Sequence, residues 1–309
     1  MHKHTIKLHR IEIIISVQGF KPQHLKGLRQ HCGMRLITAF CDGCPQIFFP
    51  HFAIIMYICR LSYFTKMYTL FLKEIKGFFS SVIGYLVIAV FLLIVGLFMW
   101  VFPTNFNIFQ VNAANIDTLF LISPWVFLFL VPAITMNMFA DELRTGNMEL
   151  LLTRPISEFK IVTAKYLAAV VLVLIALLPT LLFLFSIHFL ADPVGNVDYG
   201  AIAGSYIGLF FLGAVYAAVG IFASSLSKNV IVSFLLGIVF CFLFYLGFNL
   251  LADLVSTGTV AEFIKSLGIN DHYSSISRGV VDSRDIVYFL SVIAIFIFFS
   301  KLRLESRKW

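Results

Sequence analysis

Six long apolar runs dominate this chain, and one densely charged stretch of 20 residues, Asp141 to Lys160, interrupts them. A bilayer core about 30 Å thick needs about 20 predominantly apolar residues per helical crossing, and inside it every backbone polar group must be bonded within the segment. The runs are residues 82–102, 119–139, 166–190, 201–226, 230–251 and 286–302, the last built on the uncharged core Ile286 to Ser300. Hydrophobic residues make up 60% of the chain and charged residues 13%, against about 45–50% and 25% in soluble domains. The pattern predicts an all-α polytopic membrane protein with six transmembrane helices. Pro124 and Pro132 should kink the second span, and neighbouring helices should satisfy the carbonyls they free.

The net charge of +7 does not signal a nucleic-acid partner once it is located along the chain. Residues 1–66 hold 9 Lys and Arg against 2 Asp and Glu, and residues 67–309 hold 14 of each. That first segment also carries Cys32, Cys41, Cys44 and Cys59, has no sustained periodicity, and contains no convincing signal peptide, since Glu12 and Ser16 interrupt its first apolar run. Cys41-Asp-Gly-Cys44 has the spacing of half a zinc or redox site but lacks a second pair. Residues 1–66 are therefore expected to be a non-native or disordered extension, with the native start at Met67, and residues 67–309 to form the transmembrane domain.

Lys and Arg placement orients the spans. With residue 67 on the cytoplasmic side, eleven basic residues fall on inner segments and only Lys265, Arg278 and Arg284 on outer ones, so both termini are expected in the cytoplasm. Ahead of the first span, Phe71, Leu72, Ile75, Phe78 and Phe79 share one helical face opposite Lys73, Lys76 and Ser80. An amphipathic helix along the inner membrane interface follows.

The seven charges between Asp141 and Lys160 would cost about 18–25 kcal/mol at the bilayer centre, more than about 20 apolar residues could offset. This segment, 140–160, should sit in water or against protein as helix, break, short helix, break, helix. Gly146 makes the first break, Pro155 the second, and Ser157 is placed to N-cap the helix leading into span 3. Such an elbow gives a partner a rigid handle on spans 2 and 3. A connector whose charges merely enforce topology would have the same composition.

The pattern Glu142, Arg144, Gly146, Glu149, Pro155, Ser157 and Lys165 between a second and third span resembles the cytoplasmic signature of ABC-2 type transporter permeases. The opening Leu72-Lys-Glu-Ile-Lys-Gly-Phe-Phe79 and the segment Ser277-Arg-Gly-Val-Val-Asp-Ser-Arg-Asp285 are similar to the same family, so that the likeness spans residues 67–309, with gliding-motility permeases as the nearest type. The resemblance implies a bacterial inner-membrane permease that pairs with a second permease subunit. It would dock a separate ABC ATPase through Glu142, Arg144, Gly146, Glu149, Pro155 and Ser157. The chain itself contains no G-x-x-x-x-G-K-S/T, and Gly-Lys does not occur in it; ATP is expected in the partner, with no cofactor, catalytic or metal-ligating residue here. A structural anchor for an envelope motility or secretion machine is an alternative, as is an ATP-independent secondary transporter, although the latter calls for ionisable groups at the midplane.

Four smaller expectations concern the outer half. Segment 252–285 should contain a half-amphipathic helix, Val260 to Leu267, stopped by Gly268, with Arg278 and Arg284 paired locally to Asp271, Asp282 or Asp285. His188 and His272 read as isolated interfacial histidines. Gly204, Gly208, Gly213, Ala217 and Gly220 give span 4 a close-packing face, expected to serve packing within its own bundle, with a dimer seam as the alternative of the same appearance. Cys241 reads as a small buried hydrophobe.

Overall fold

The computed structural model describes residues 6–8, 11–13, 67–104, 106–111, 116–152, 157–255, 258–280 and 282–306. The Cys41–Cys44 motif and Pro155 lie outside these residues. The chain divides into two compact units, residues 1–55 and 56–309. In the first, strands β1 (Ile6–Leu8) and β2 (Ile11–Ile13) pair antiparallel, with Ile6 opposite Ile13. This short pairing was not expected, because three residues are too few to show an alternating pattern.

The second unit is helical throughout its described residues. Helix α1 covers 67–80. It presents Phe71, Ile75, Phe78 and Phe79 to the core and leaves Lys73, Lys76 and Ser80 exposed, as its pattern predicts. Ser81 ends it and N-caps α2 (Val82–Gly96), accepting a hydrogen bond from the Ile83 amide at 3.2 Å. The close return of the chain requires Gly84, where a Cβ would stand 2.5 Å from the Phe78 carbonyl oxygen. A π-helical turn, Leu97–Val101, completes the first crossing, and the short α3 (Ile108–Val111) follows.

The second crossing, α4 (Asp117–Arg144), is longer than the apolar run, and Asp141, Glu142 and Arg144 continue the helix up to the break expected at Gly146. Hydropathy locates the end of the membrane-compatible stretch and not the end of the helix, which continues until Gly146 adopts φ +73°. Pro124 has no amide to offer the Phe120 carbonyl, and the Tyr273 hydroxyl donates to that oxygen instead, at 2.7 Å. Farther along, Ser224 enters the helix ladder: its hydroxyl donates to Met136 O at 2.9 Å and accepts from the Phe139 and Ala140 amides at 3.0 and 3.1 Å. Ser224→Ala would strand these buried groups and should cost about 1–3 kcal/mol, readable as a lower midpoint in detergent thermal unfolding; an unchanged midpoint would mean the groups rebond within α4.

After α5 (Asn147–Leu152), the third crossing runs as α6 (Glu158–Leu177), a 3-10 turn around Pro179, and α7 (Leu181–Leu190). Ser157 occupies the N-cap position in extended conformation but makes no side-chain capping bond, a departure from the expectation. Helix α8 (Tyr199–Leu226) is the centre of the bundle and packs against α4, α6, α9 and α13. Its glycine face is spent on its own bundle. A Cβ at Gly208 would meet Ile276, at Gly213 Val173 and Phe127, and at Gly220 Thr135.

The fifth crossing is α9 (Val230–Phe242), a π turn at Leu243–Gly247, and α10 (Phe248–Leu254). Cys241 is a fully buried free thiol, as expected. Segment 252–285 holds two helices instead of one, α11 (Thr259–Ser266) and α12 (Ile269–Ile276). Gly268 has φ −81° and N-caps α12, so it is a linker and not a left-handed stop. The last crossing, α13 (Ser283–Glu305), begins at an Asp282 cap that accepts from the Arg284 amide. Among the described residues, six helical segments are long and apolar enough to cross a membrane.

Candidate functional site: a buried ion cluster beneath an exposed elbow

The six residues singled out around the charged stretch do not form one surface. Glu142 is buried in the last turn of α4, whereas Arg144, Gly146, Glu149 and Ser157 are exposed, and Pro155 lies outside the described residues. Arg144 pairs with Asp141 at 2.9 Å across one helical turn, an exposed contact worth at most a few tenths of a kcal/mol. Gly146 then reverses the chain, and α5 is pinned to the core by Met148 while Glu149 faces outward.

Beneath this elbow lies a cluster that three separate helices build. Lys165, two turns into α6, is fully buried, and its ammonium stands 2.7 Å from Glu74 Oε1 of α1 and 3.0 Å from Glu142 Oε2 of α4. It also donates to the Met138 carbonyl at 2.6 Å and lies 5.0 Å from the Phe139 ring centroid. Lys73, adjacent to Glu74 on α1, reaches the other Glu142 oxygen at 2.6 Å from the rim. Two carboxylates and two ammonium groups thus cancel, as burial requires.

Burial pulls the Lys73 pKa down, but the hydrogen bond to Glu142 and the neighbouring carboxylates outweigh it and hold the ammonium above the ordinary lysine value. On the alkaline side the tie to Glu142 is lost as pH rises through the raised lysine pKa, and on the acid side it lasts until the Glu142 carboxylate is protonated.

The charge pattern sets Lys165 at the start of span 3 and, by resemblance, Glu142 among the contacts for a partner; the structure buries Lys165 completely and turns Glu142 inward toward α1 and α6. Lys73 enters the sequence reading on the polar face of α1, and Glu74 only within the family-like opening Leu72 to Phe79. The available signal was scarcity: in a domain with so few charges, an acidic residue on α1, one ending span 2 and a lysine opening span 3 are natural mutual partners.

Helices α1, α4 and α6 are tied by charge at one point, and the elbow follows directly from that end of α4. A family model described as ABC-2 family transporter protein matches residues 105–309, which takes in spans 2 to 6, the elbow and Lys165, and leaves α1 and α2 outside the match. A comparison with curated proteins found no match. With a match over well above half its length and six crossings in place, the chain belongs to the ABC-2 family of transporter proteins.

Proposed function

We propose that this permease is driven by a separate ABC ATPase that grips the exposed residues of the elbow, Arg144, Gly146, Glu149 and Ser157, and that the cluster beneath carries the push into the bundle. The observation that supports this reading is the division of labour in one turn: an exposed charged rim on α5 directly follows a buried, charge-neutral tie between α1, α4 and α6. A force on α4 and α5 then moves α1 as well, because shifting one partner alone would leave an uncompensated charge.

In this reading ATP is bound by the partner subunit. The elbow and both termini face the cytoplasm in a bacterial inner membrane, and a second permease subunit, identical or related, completes the transport unit within the lipid bilayer. Gliding motility is the biological setting that the sequence resemblance favours.

The test is co-purification from the native membrane with the bound ATPase quantified. Glu149→Arg should reduce capture about tenfold, equivalent to about 1.4 kcal/mol, while Glu305→Arg at the end of α13 leaves it unchanged. Equal capture by wild type and Glu149→Arg would remove the elbow as the docking point. Glu142 is a poor choice for this experiment, because its loss disturbs the cluster and the elbow together.

A further inference from the structure

At the opposite end of α4 from the ion cluster, α12 brings one histidine between two acceptors. His272 Nδ1 lies 2.7 Å from Asp285 Oδ1 in the first turn of α13, and His272 Nε2 lies 2.9 Å from the Ser266 carbonyl oxygen at the end of α11. The imidazole stacks on the Tyr288 ring with centroids 3.9 Å apart, and the Tyr288 hydroxyl donates to Leu267 O at 2.6 Å. The histidine and aspartate side chains are only 11% and 7% exposed, and Asp285 Oδ2 has no hydrogen-bond partner. Asp285 is thus held by His272 and not by Arg278, whose Nε donates to the Ser274 carbonyl.

A neutral imidazole carries one N–H and one bare lone pair. A carboxylate and a carbonyl both need a donor, so a neutral His272 satisfies one and sets its lone pair against the other. Only the imidazolium bonds both, and it also supplies the buried Asp285 carboxylate with a counter-charge.

We propose that His272 is a proton-operated clamp: when doubly protonated it ties α11 and α12 to the start of α13, and loss of one proton loosens that joint. The other groups around it do not supply a substitute charge. From α13 the facing groups are Asp285 and Tyr288; from α11 Lys265 is paired with Asp253 of α10 at 3.2 Å, and Glu262 is exposed. On α12 itself Asp271 is exposed and Tyr273 is directed to Phe120 O; Tyr245, from the π turn packed on α12, is uncharged, and α8 offers Gly204, Ser205 and Gly208. Tyr273, with Ser205 donating to Ser277 O at 2.8 Å, keeps α12 on α4 and α8 whatever the charge on His272. The joint that opens is therefore the one between α12, the end of α11 and the first turn of α13. Histidine is the side chain whose charge changes between pH 5 and 8, which makes the clamp responsive to the medium bathing this end of the bundle.

The experiment is carried out on the whole chain in lipid nanodiscs with 15N-labelled histidine, the His272 signals being assigned by comparison with His272→Gln. At pH 6 both ring nitrogens of His272 should be protonated. Amide-exchange protection over 266–276 and 283–288, corrected for the intrinsic pH effect, should fall on the order of tenfold between pH 6 and pH 8. Asp285→Asn keeps the shape and an acceptor oxygen but removes the charge, and should move this loosening to lower pH. A single protonated nitrogen throughout pH 5–8, protection independent of pH, or loosening that Asp285→Asn leaves in place would each overturn the clamp.

Discussion

Lys165→Met is expected to destabilise the bundle by about 3–5 kcal/mol, the cost of leaving buried carboxylates without their cation. The side chain is fully buried, and its removal strands Glu74 and frees one oxygen of Glu142, the other remaining with Lys73. Thermal unfolding in detergent, with ligand-free protein at a fixed lipid ratio, reads the loss. A second variant separates charge from packing: Lys165→Met with Glu74→Gln and Glu142→Gln removes the three inner charges, leaves only the solvent-exposed Lys73 ammonium at the rim, and should recover most of the stability, since buried charges replaced as a unit are often neutral. If the triple variant is no more stable than the single, the lysine acts through its bond to Met138 O and its packing, and the cluster is not an electrostatic tie.

Gly279→Ala should be the most damaging small change at the other end of the molecule. Gly279 has φ +88°, a left-handed conformation that costs a residue with a Cβ about 1–2 kcal/mol. The added Cβ would also stand 2.5 Å from Ala201 Cα and 3.0 Å from Ala201 O, backbone atoms that cannot rotate away, adding about 1–3 kcal/mol of overpacking. The turn linking α12 to α13 would lift from α8, and amide exchange over 276–286 should rise with the fall in unfolding midpoint. Gly77→Ala is the internal contrast: nothing lies within 4 Å of a Cβ there, and in helix α1 it should stabilise by about 0.4–1 kcal/mol. Comparable losses at the two positions would contradict this account.

The crossings were legible because hydropathy over about 20 residues is set by the bilayer itself, and the glycine face of α8 was legible because small residues at helical spacing have few other uses. The kink chemistry was readable in outline: Pro124 announces a freed carbonyl, yet only the fold shows that Tyr273, 153 residues away, takes it up. Long-range pairing was the weak point. Glu142 and Lys165 sit where the charge pattern places them, at the end of span 2 and the start of span 3, but that they face each other and Glu74 is set by the fold. His272 was dismissed for want of a second ligand at helical spacing, whereas its partners come from two other helices.

The sequence separations within the ion cluster fix an order of events during synthesis. Lys73 and Glu142 are 69 residues apart, and Glu74 and Lys165 are 91 apart. Helix α1 leaves the ribosome first but cannot be neutralised until two further spans have been made, so its charges must wait at the aqueous boundary while the chain behind them is threaded. The last of the four groups to arrive is the one with no access to water. Lys165 therefore closes the tie only once the first three spans have been made, at the end of the bundle where α1, α4 and α6 meet.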